Sequence, residues 1–167
     1  MATLPQGPLL RRVLQIEEAS FSEPWTTADF QLVADDDRAV NLGLWRGECL
    51  VGYAIAFDEA GELHLASLAV EESHRRQGWG SHLLGQVLAS AADRGCRTCR
   101  LEVRASNRPA LKLYRKHAFE VTGKRYRFYT GPVEDAVVMT RQLSSRCPES
   151  AADATARMLQ PGGEIRR

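Results

Sequence analysis

The chain has 167 residues, a formal net charge of +1, a hydrophobic content of 44% and a charged content of 26%. This composition is ordinary for a globular domain with a hydrophobic core, and it excludes a chain that is disordered throughout. The near-zero net charge gives no overall reason to expect direct nucleic-acid binding, and no apolar run reaches the roughly 18 residues that a transmembrane helix needs.

Four cysteines are present, and two of them, Cys96 and Cys99, have the CxxC spacing of a metal-binding pair. No second pair of Cys or His completes a tetrahedral site, so we predict no metal. The first ten residues lack the charged segment and apolar core of a secretion signal. We therefore expect reduced thiols and a cytoplasmic protein.

Apolar periodicity predicts four helices and six strands. In chain order they are a helix over 8–19, a short helix that begins at Thr26 or Thr27, strands Val40–Trp45, Leu50–Phe57 and Leu63–Val70, a helix from Gly78 to about Arg94, strand Thr98–Val103, a helix from Asn107 to about His117, and strands Phe119–Tyr126 and Ala136–Leu143. A meander followed by alternating helices and strands predicts an α/β fold with a mixed sheet.

The helix between Leu63–Val70 and Thr98–Val103 is a crossover connection, so these two strands run parallel. Where two such strands part at their C-terminal ends, they leave a crevice in which ligands bind. Residues 144–167 are instead dominated by small, polar and charged residues and offer little apolar surface to bury. We therefore predict one domain over residues 1–143 and a disordered tail over residues 144–167.

A glycine turn joins the third strand to the long helix, with the pattern Arg75-x-x-Gly78-x-Gly80. A helix start presents unpaired N–H donors and a partial positive charge, which together bind phosphate. No Lys-Ser or Lys-Thr follows as in a Walker loop, and the third glycine of a dinucleotide fingerprint is absent. The pattern closely resembles the (Q/R)xxGx(G/A) pyrophosphate loop of the GNAT N-acetyltransferases.

Acetyl transfer from a thioester to an amine needs a group that accepts a proton from the amine and a group that protonates the departing thiolate. Glu102, near the end of a crevice strand, is the candidate acceptor, but a strand glutamate paired with Arg100 or Arg104 fits the position equally well. Tyr114 is the candidate donor, and a buried core tyrosine is the competing interpretation.

Two further polar positions carry alternatives. Asn107, two residues before Pro109, is a candidate helix N-cap as well as a candidate ligand contact. His64 has a place on the acceptor side of the third strand, although a hydrogen-bonded strand histidine is the favoured interpretation. The remaining histidines, His74, His82 and His117, form no spaced metal cluster with it.

The resemblance extends to the RimI-like group of the family, which acetylates the N-terminal alanine of a small-subunit ribosomal protein. The stretches that carry it are Phe21–Trp25, Leu68–Gly80, Leu101–Asn107, and Arg127–Tyr129 followed by Glu134-Asp135-Ala136 and Met139. Together they span residues 16–143 and imply a mostly antiparallel GNAT-like central sheet flanked by helices, with a splayed parallel strand pair that holds the cofactor.

The resemblance implies acetyl-CoA as donor and a protein or peptide N-terminus, that of a ribosomal protein, as acceptor, with Glu102 as base and Tyr114 as acid. Backbone groups of the third strand would pair with the pantetheine arm, and the loop amides would hold the pyrophosphate. The residues that the resemblance assigns to the cofactor are Leu68, Ala69, Val70, Arg75, Arg76, Gln77, Gly78, Trp79, Gly80, Ser81 and Asn107.

Two departures from the family pattern concern the backbone. Many relatives have Gly where this chain has Ala118, so a positive φ there would be strained by the Cβ. The usual first strand of the family is short or absent.

The competing functions are acetylation of lysine or of a small amine, a non-catalytic acyl-CoA-binding module, and a nucleic-acid partner bound through the basic segment 94–108.

Overall fold

The computed structural model describes residues 7–143 and 156–158. The helices are α1 (Pro8–Ser20), α2 (Thr27–Ala34), α3 (Trp79–Asp93) and α4 (Arg108–Lys116). The strands are β1 (Ala39–Arg46), β2 (Cys49–Glu59), β3 (Glu62–Val70), β4 (Thr98–Arg104), β5 (Glu120–Thr130), β6 (Val133–Gln142) and β7 (Ala156–Met158). All four predicted helices and all six predicted strands are present, and β5 continues four residues beyond the predicted end at Tyr126.

The strands form one mixed sheet in the order β5-β6-β4-β3-β2-β1-β7. The pair β3–β4 is parallel, and each of the other five neighbouring pairs is antiparallel. A single parallel pair follows from the crossover through α3, because the remaining connections within residues 39–70 and 120–142 are short turns. The predicted mixed, mostly antiparallel sheet is confirmed.

The two parallel strands separate halfway along their length. Their ladder runs from Glu62 opposite Thr98 to Leu65 opposite Leu101, although β3 continues to Val70. At the same place the β2–β3 register shifts, with Ile55 opposite Ser67 but Ala56 opposite Leu65. This bulge adds one residue to β3 and bends the strand where the ladder ends, so the edge of β3 that faces β4 lacks a strand partner from residue 66 onward.

Alternating side chains of the sheet pack into two cores. On one face, Leu63, Leu65 and Leu101 contact the buried face of α3 that includes Leu83 and Leu84. On the opposite face, Tyr53 and Ile55 pack against the apolar stripes of α1 and α2. The helices therefore cover both faces of the sheet.

Local sequence explains where the helices begin and end. Thr26 and Asp29 form a reciprocal capping box at the start of α2. The backbone turns from α4 into β5 at Ala118, whose φ is 57°. This is the left-handed region, where the Cβ of an alanine strains the backbone, as the sequence predicts. Within residues 7–143 the first element is α1, and β1 follows only after α2.

The predicted tail is described only at residues 156–158. These pair antiparallel with β1, with Leu42 opposite Met158 and Leu44 opposite Ala156. Residues 144–155 and 159–167 lie outside the described residues, so the tail and its boundary stay a prediction. No helix in the described ranges is long and apolar enough to cross a membrane.

Candidate active site

A cavity of about 390 Å³ opens where β3 and β4 separate. Its wall combines α1 and the loop after it, β3, β4, α4 and the end of β5. Four of the residues predicted from the sequence line it, namely Leu68, Glu102, Asn107 and Tyr114. A cavity whose wall contains both carboxylates and phenols can hold a small acyl group beside a proton acceptor and a proton donor.

Glu102 on β4 is held by three cationic or hydrogen-bonding partners. His64 Nε2 lies 2.7 Å from its Oε2, Arg100 donates to Oε1, and Arg125 Nη1 lies 3.3 Å from Oε1. The hydrogen bond from His64 holds the pKa of Glu102 below its usual value, opposed by burial and aided by the charges of Arg100 and Arg125. Glu102 is therefore ionised at neutral pH, and it is both a paired strand glutamate and a cavity residue.

His64 is a hydrogen-bonded strand histidine, the interpretation that the sequence favoured, and its partner is the candidate base Glu102. It lies on β3 opposite Arg100 in the parallel ladder, and it bridges toward Glu59, whose Oε1 is 3.6 Å from Nδ1. Residues two apart in a strand share a face, so a partner opposite Arg100 also reaches Glu102. The register of the ladder would have found this contact, but periodicity alone does not give a register.

Tyr114 on α4 is 8% exposed and packs edge-on against Phe119, with the ring centroids 5.7 Å apart. It belongs to the core under α3 and α4, so the core interpretation holds, but it also lines the cavity. Burial raises the pKa of the Tyr114 phenol above its ordinary value, and the phenol therefore keeps its proton at neutral pH.

Asn107 is the N-cap of α4, and its contact with a ligand stays a prediction. Its side-chain oxygen accepts a hydrogen bond from the backbone N–H of Ala110 at 3.2 Å and caps α4, while the residue also lines the cavity. Pro109 occupies the first turn of α4, where a missing N–H costs nothing.

The predicted pyrophosphate loop precedes α3 and does not line this cavity. Arg76 at φ 59° and Gly78 at φ 87° both adopt left-handed backbone, which turns successive amides toward one side. The first-turn amides of α3, at Trp79, Gly80 and Ser81, have no acceptor within the helix. Backbone N–H groups of this kind suit an anion, and the assignment of the loop to a pyrophosphate stays a prediction.

Side chains around the loop fix its position. Arg75 donates from Nε to the carbonyl of Val70 at 2.9 Å and from Nη2 to Ser20 Oγ at 3.0 Å. Ser81 Oγ lies 2.6 Å from His117 Nε2, which joins the start of α3 to the end of α4. The Arg75 side chain thus ties the loop to the end of β3, and Gln77 bonds within the loop to the Ser73 carbonyl at 3.0 Å.

The side chains of Ala69 and Val70 point into the two cores, one on each face of the sheet. Only their backbone groups can therefore contact a ligand in the crevice, as the prediction of backbone pairing requires. An extended ligand that lies along the open edge of β3, starting at the loop, would end at the cavity. Residues 66–69 thus present an edge without a strand partner between the loop and the cavity, while the Val70 carbonyl accepts from Arg75.

Glu17 is a cavity residue that the sequence reasoning missed. It is 1% exposed, its Oε1 accepts from the backbone N–H of Trp25 at 2.9 Å, and its Oε2 is buried without a hydrogen-bond partner in the described part of the chain. Burial raises its pKa to about 7. Its spacing in the sequence could have indicated that it is buried. Glu17 follows Leu10 and Val13 at helical intervals, so it lies on the buried face of α1, which otherwise carries apolar residues.

Among the residues that the structure describes, no group of three or more His, Cys, Asp or Glu side chains is placed to hold a metal ion. Cys96 and Cys99 are buried free thiols. Burial raises the pKa of the Cys99 thiol to about 12, so it is protonated and inert.

Residues 10–119 match the Acetyltransferase (GNAT) family. The chain is 32% identical over 131 residues to the [ribosomal protein bS18]-alanine N-acetyltransferase of Escherichia coli K12, covering 77% of this chain and 88% of that protein. The crystal structure of the ribosomal-protein-S18-alanine N-acetyltransferase from E. coli superposes with a TM-score of 0.76 at 30% identity, over 86% of this chain and 93% of that one.

A third comparison concerns the fold. Arabidopsis thaliana NAA60, solved in complex with acetyl-CoA, shares the fold with a TM-score of 0.72 at 22% identity, over 84% of this chain and 96% of that one. The chain belongs to the GNAT acetyltransferase family and is an acetyl-CoA-dependent N-acetyltransferase.

Proposed function

We propose that this enzyme acetylates the α-amine of a protein N-terminus, and that its acceptor is the N-terminal alanine of ribosomal protein bS18. The observation that carries the proposal is the similarity to the E. coli bS18-alanine N-acetyltransferase over most of both chains. The predicted RimI-like stretches belong to the same elements that form the cavity, the loop after α1 and the end of β4 among them.

The electrostatics of Glu102 favour an α-amine over a lysine side chain. A carboxylate whose pKa is lowered by His64 and two arginines is a weak base. An α-amine, with a pKa of about 8, loses a proton far more readily than a lysine amine at about 10.4. The protein thus supplies a base that suits the more acidic of the two acceptors.

In the proposed reaction, Glu102 accepts a proton from the attacking nitrogen and Tyr114 donates one to the departing thiolate. Burial keeps the Tyr114 phenol protonated at neutral pH, so it has a proton to donate when the thiolate departs. Leu68, Ala69 and Val70 hold the pantetheine arm through backbone groups, and Asn107 contacts the cofactor.

Arg76, Gln77, Gly78, Trp79, Gly80 and Ser81 hold the diphosphate by backbone amides, and Arg75 positions the loop through its bonds to β3 and α1. Acetyl-CoA supplies the activated acyl group, and the chain supplies orientation and proton transfer. Substitution of the loop therefore affects donor affinity, whereas substitution of the cavity carboxylate affects turnover.

The test compares two peptides that share the N-terminal sequence of bS18, one with a free N-terminal alanine and one whose N-terminus is blocked while its lysines remain. We expect turnover of the free peptide only. Glu102→Gln should lower kcat by about 10²–10⁴-fold without changing acetyl-CoA affinity, as for loss of a general base. Glu120→Gln, at the exposed start of β5, is the matched control. Faster turnover of the blocked peptide would instead make the enzyme a lysine acetyltransferase.

A further inference from the structure

Two protons must leave the substrate nitrogen during N-terminal acetylation. The α-ammonium, the predominant form at neutral pH, loses one before it can attack, and the attacking amine loses a second as the amide forms. The cavity wall contains the buried carboxylate of Glu17 on α1 and the half-buried carboxylate of Glu102 on β4.

We propose that Glu17 is a second catalytic carboxylate, which receives the first proton from the substrate α-ammonium directly or through one water molecule, and leaves the second proton to Glu102. The inference rests on the proposed function, because it requires an amine as acceptor. It adds a recognition role as well, since Glu17 would bind the charged N-terminus before chemistry.

The hydrogen bonding of the two carboxylates assigns them different tasks. Both oxygens of Glu102 are occupied, Oε2 by His64 and Oε1 by Arg100 and Arg125. Glu17 has one oxygen fixed by the Trp25 amide, while Oε2 is buried and unpaired in residues 7–143. A buried carboxylate oxygen without a donor is costly, and an ammonium group brought into the cavity would supply the missing partner.

The acidities of the two protons agree with this division. An ammonium with a pKa of about 8 transfers its proton well to a group that titrates near neutral pH, and Glu17 has a pKa of about 7. Once nitrogen has bonded to the acetyl carbon, its proton is much more acidic, so the weak base Glu102 suffices. The other titratable or charged groups in the cavity wall are Glu23 on the loop after α1, Arg104 on β4, Tyr114 on α4 and Tyr129 on β5.

The protons balance in the proposed acetyl transfer. Glu17 takes one proton from the ammonium, the nitrogen–carbon bond forms, and Glu102 takes the second proton. The carbon–sulfur bond breaks as Tyr114 protonates the thiolate, and the proton on Glu102 restores the phenol. Glu17 finally releases its proton to solvent, so an ammonium and a thioester become an amide, a thiol and one free proton.

The kinetic test uses Glu17→Gln, which keeps an oxygen for the Trp25 amide but cannot titrate. About one amine in ten is uncharged at pH 7 when its pKa is about 8, so kcat/KM at that pH should fall about tenfold. The deficit should shrink to about twofold or less near pH 9, where the amine is free without help. Glu18→Gln, on the exposed side of α1, is the control that should leave the profile unchanged.

A wild-type measurement keeps the inference testable if the variant folds poorly. The carboxyl ¹³C signal of Glu17 is followed by NMR through a pH titration, with the free peptide and with its N-acetylated form. We expect the free peptide to lower the pKa of Glu17, because its ammonium stabilises the carboxylate, and the acetylated peptide to leave it unchanged. Equal titration with both peptides, or a Glu17→Gln deficit that persists near pH 9, would overturn the role of Glu17. Absence of wild-type turnover on any free N-terminus would instead refute the proposed function.

Discussion

Replacement of Glu17 by Gln should remove a pH-dependent cost to folding. The pKa of Glu17 is about 7 in the folded protein against 4.5 for an ordinary glutamate. At 1.36 kcal/mol per pKa unit, this difference corresponds to about 3 kcal/mol. Between these two pKa values the folded state binds more protons than the unfolded state, so the wild-type free energy of unfolding falls as pH rises from about 4.5 to about 7 and then stays lower.

The assay is urea denaturation of wild type, Glu17→Gln and Glu18→Gln at several values from about pH 4 to about pH 8. The buried amide of the variant changes its free energy of unfolding by an amount that does not depend on pH. This amount cancels, because the assay compares only how the difference between wild type and Glu17→Gln changes with pH. Wild type should lose up to about 3 kcal/mol relative to Glu17→Gln across this range, and Glu18→Gln should follow wild type. Parallel curves for wild type and Glu17→Gln would refute the raised pKa and the burial argument behind it.

Three further substitutions test the loop, the acid and the turn after α4. Gly80→Asp should weaken acetyl-CoA binding by at least tenfold in calorimetry, because it adds a negative charge to the first turn of α3, where we propose that the diphosphate binds. Gly85→Asp, in open space on the same helix, should not, and equal affinities would contradict the loop assignment. Tyr114→Phe should reduce kcat about 10²-fold at unchanged acetyl-CoA affinity, and an unaltered kcat would remove the phenol as acid. Ala118→Gly should raise the free energy of unfolding by about 1 kcal/mol because φ is 57° there, whereas Ala92→Gly in α3 should lower it by a similar amount.

Much of the architecture could be predicted because its signals are local. The apolar stripes of α1 and α3, the alternation in β3 and β4, and the glycine turn before α3 each depend on neighbouring residues. The crossover through α3 then requires a parallel pair, and the family pattern around Gly78 and Gly80 indicates the donor. The cavity could not be predicted from these signals alone, because it depends on the bulge at Ala66, where the β3–β4 ladder ends.

The parts that could not be predicted depend on contacts between distant segments. His64 reaches Glu102 across 38 positions of sequence, through a register that no periodicity encodes. Glu17 belongs to the site because α1 packs beside the separated strands, and a charged residue on an apolar helix face is the sole local trace of that role. Arg104 joins Glu23 and Glu134 at the cavity mouth by the same kind of long-range contact.

The most direct test of the account is mass spectrometry of unacetylated bS18 after incubation with the purified enzyme and acetyl-CoA, with fragment ions that locate any added acetyl group. The account predicts one acetyl group on the N-terminal alanine, which Glu102→Gln adds far more slowly than wild type. Acetyl groups found only on lysine side chains, or none at all with an enzyme that binds acetyl-CoA, would contradict it.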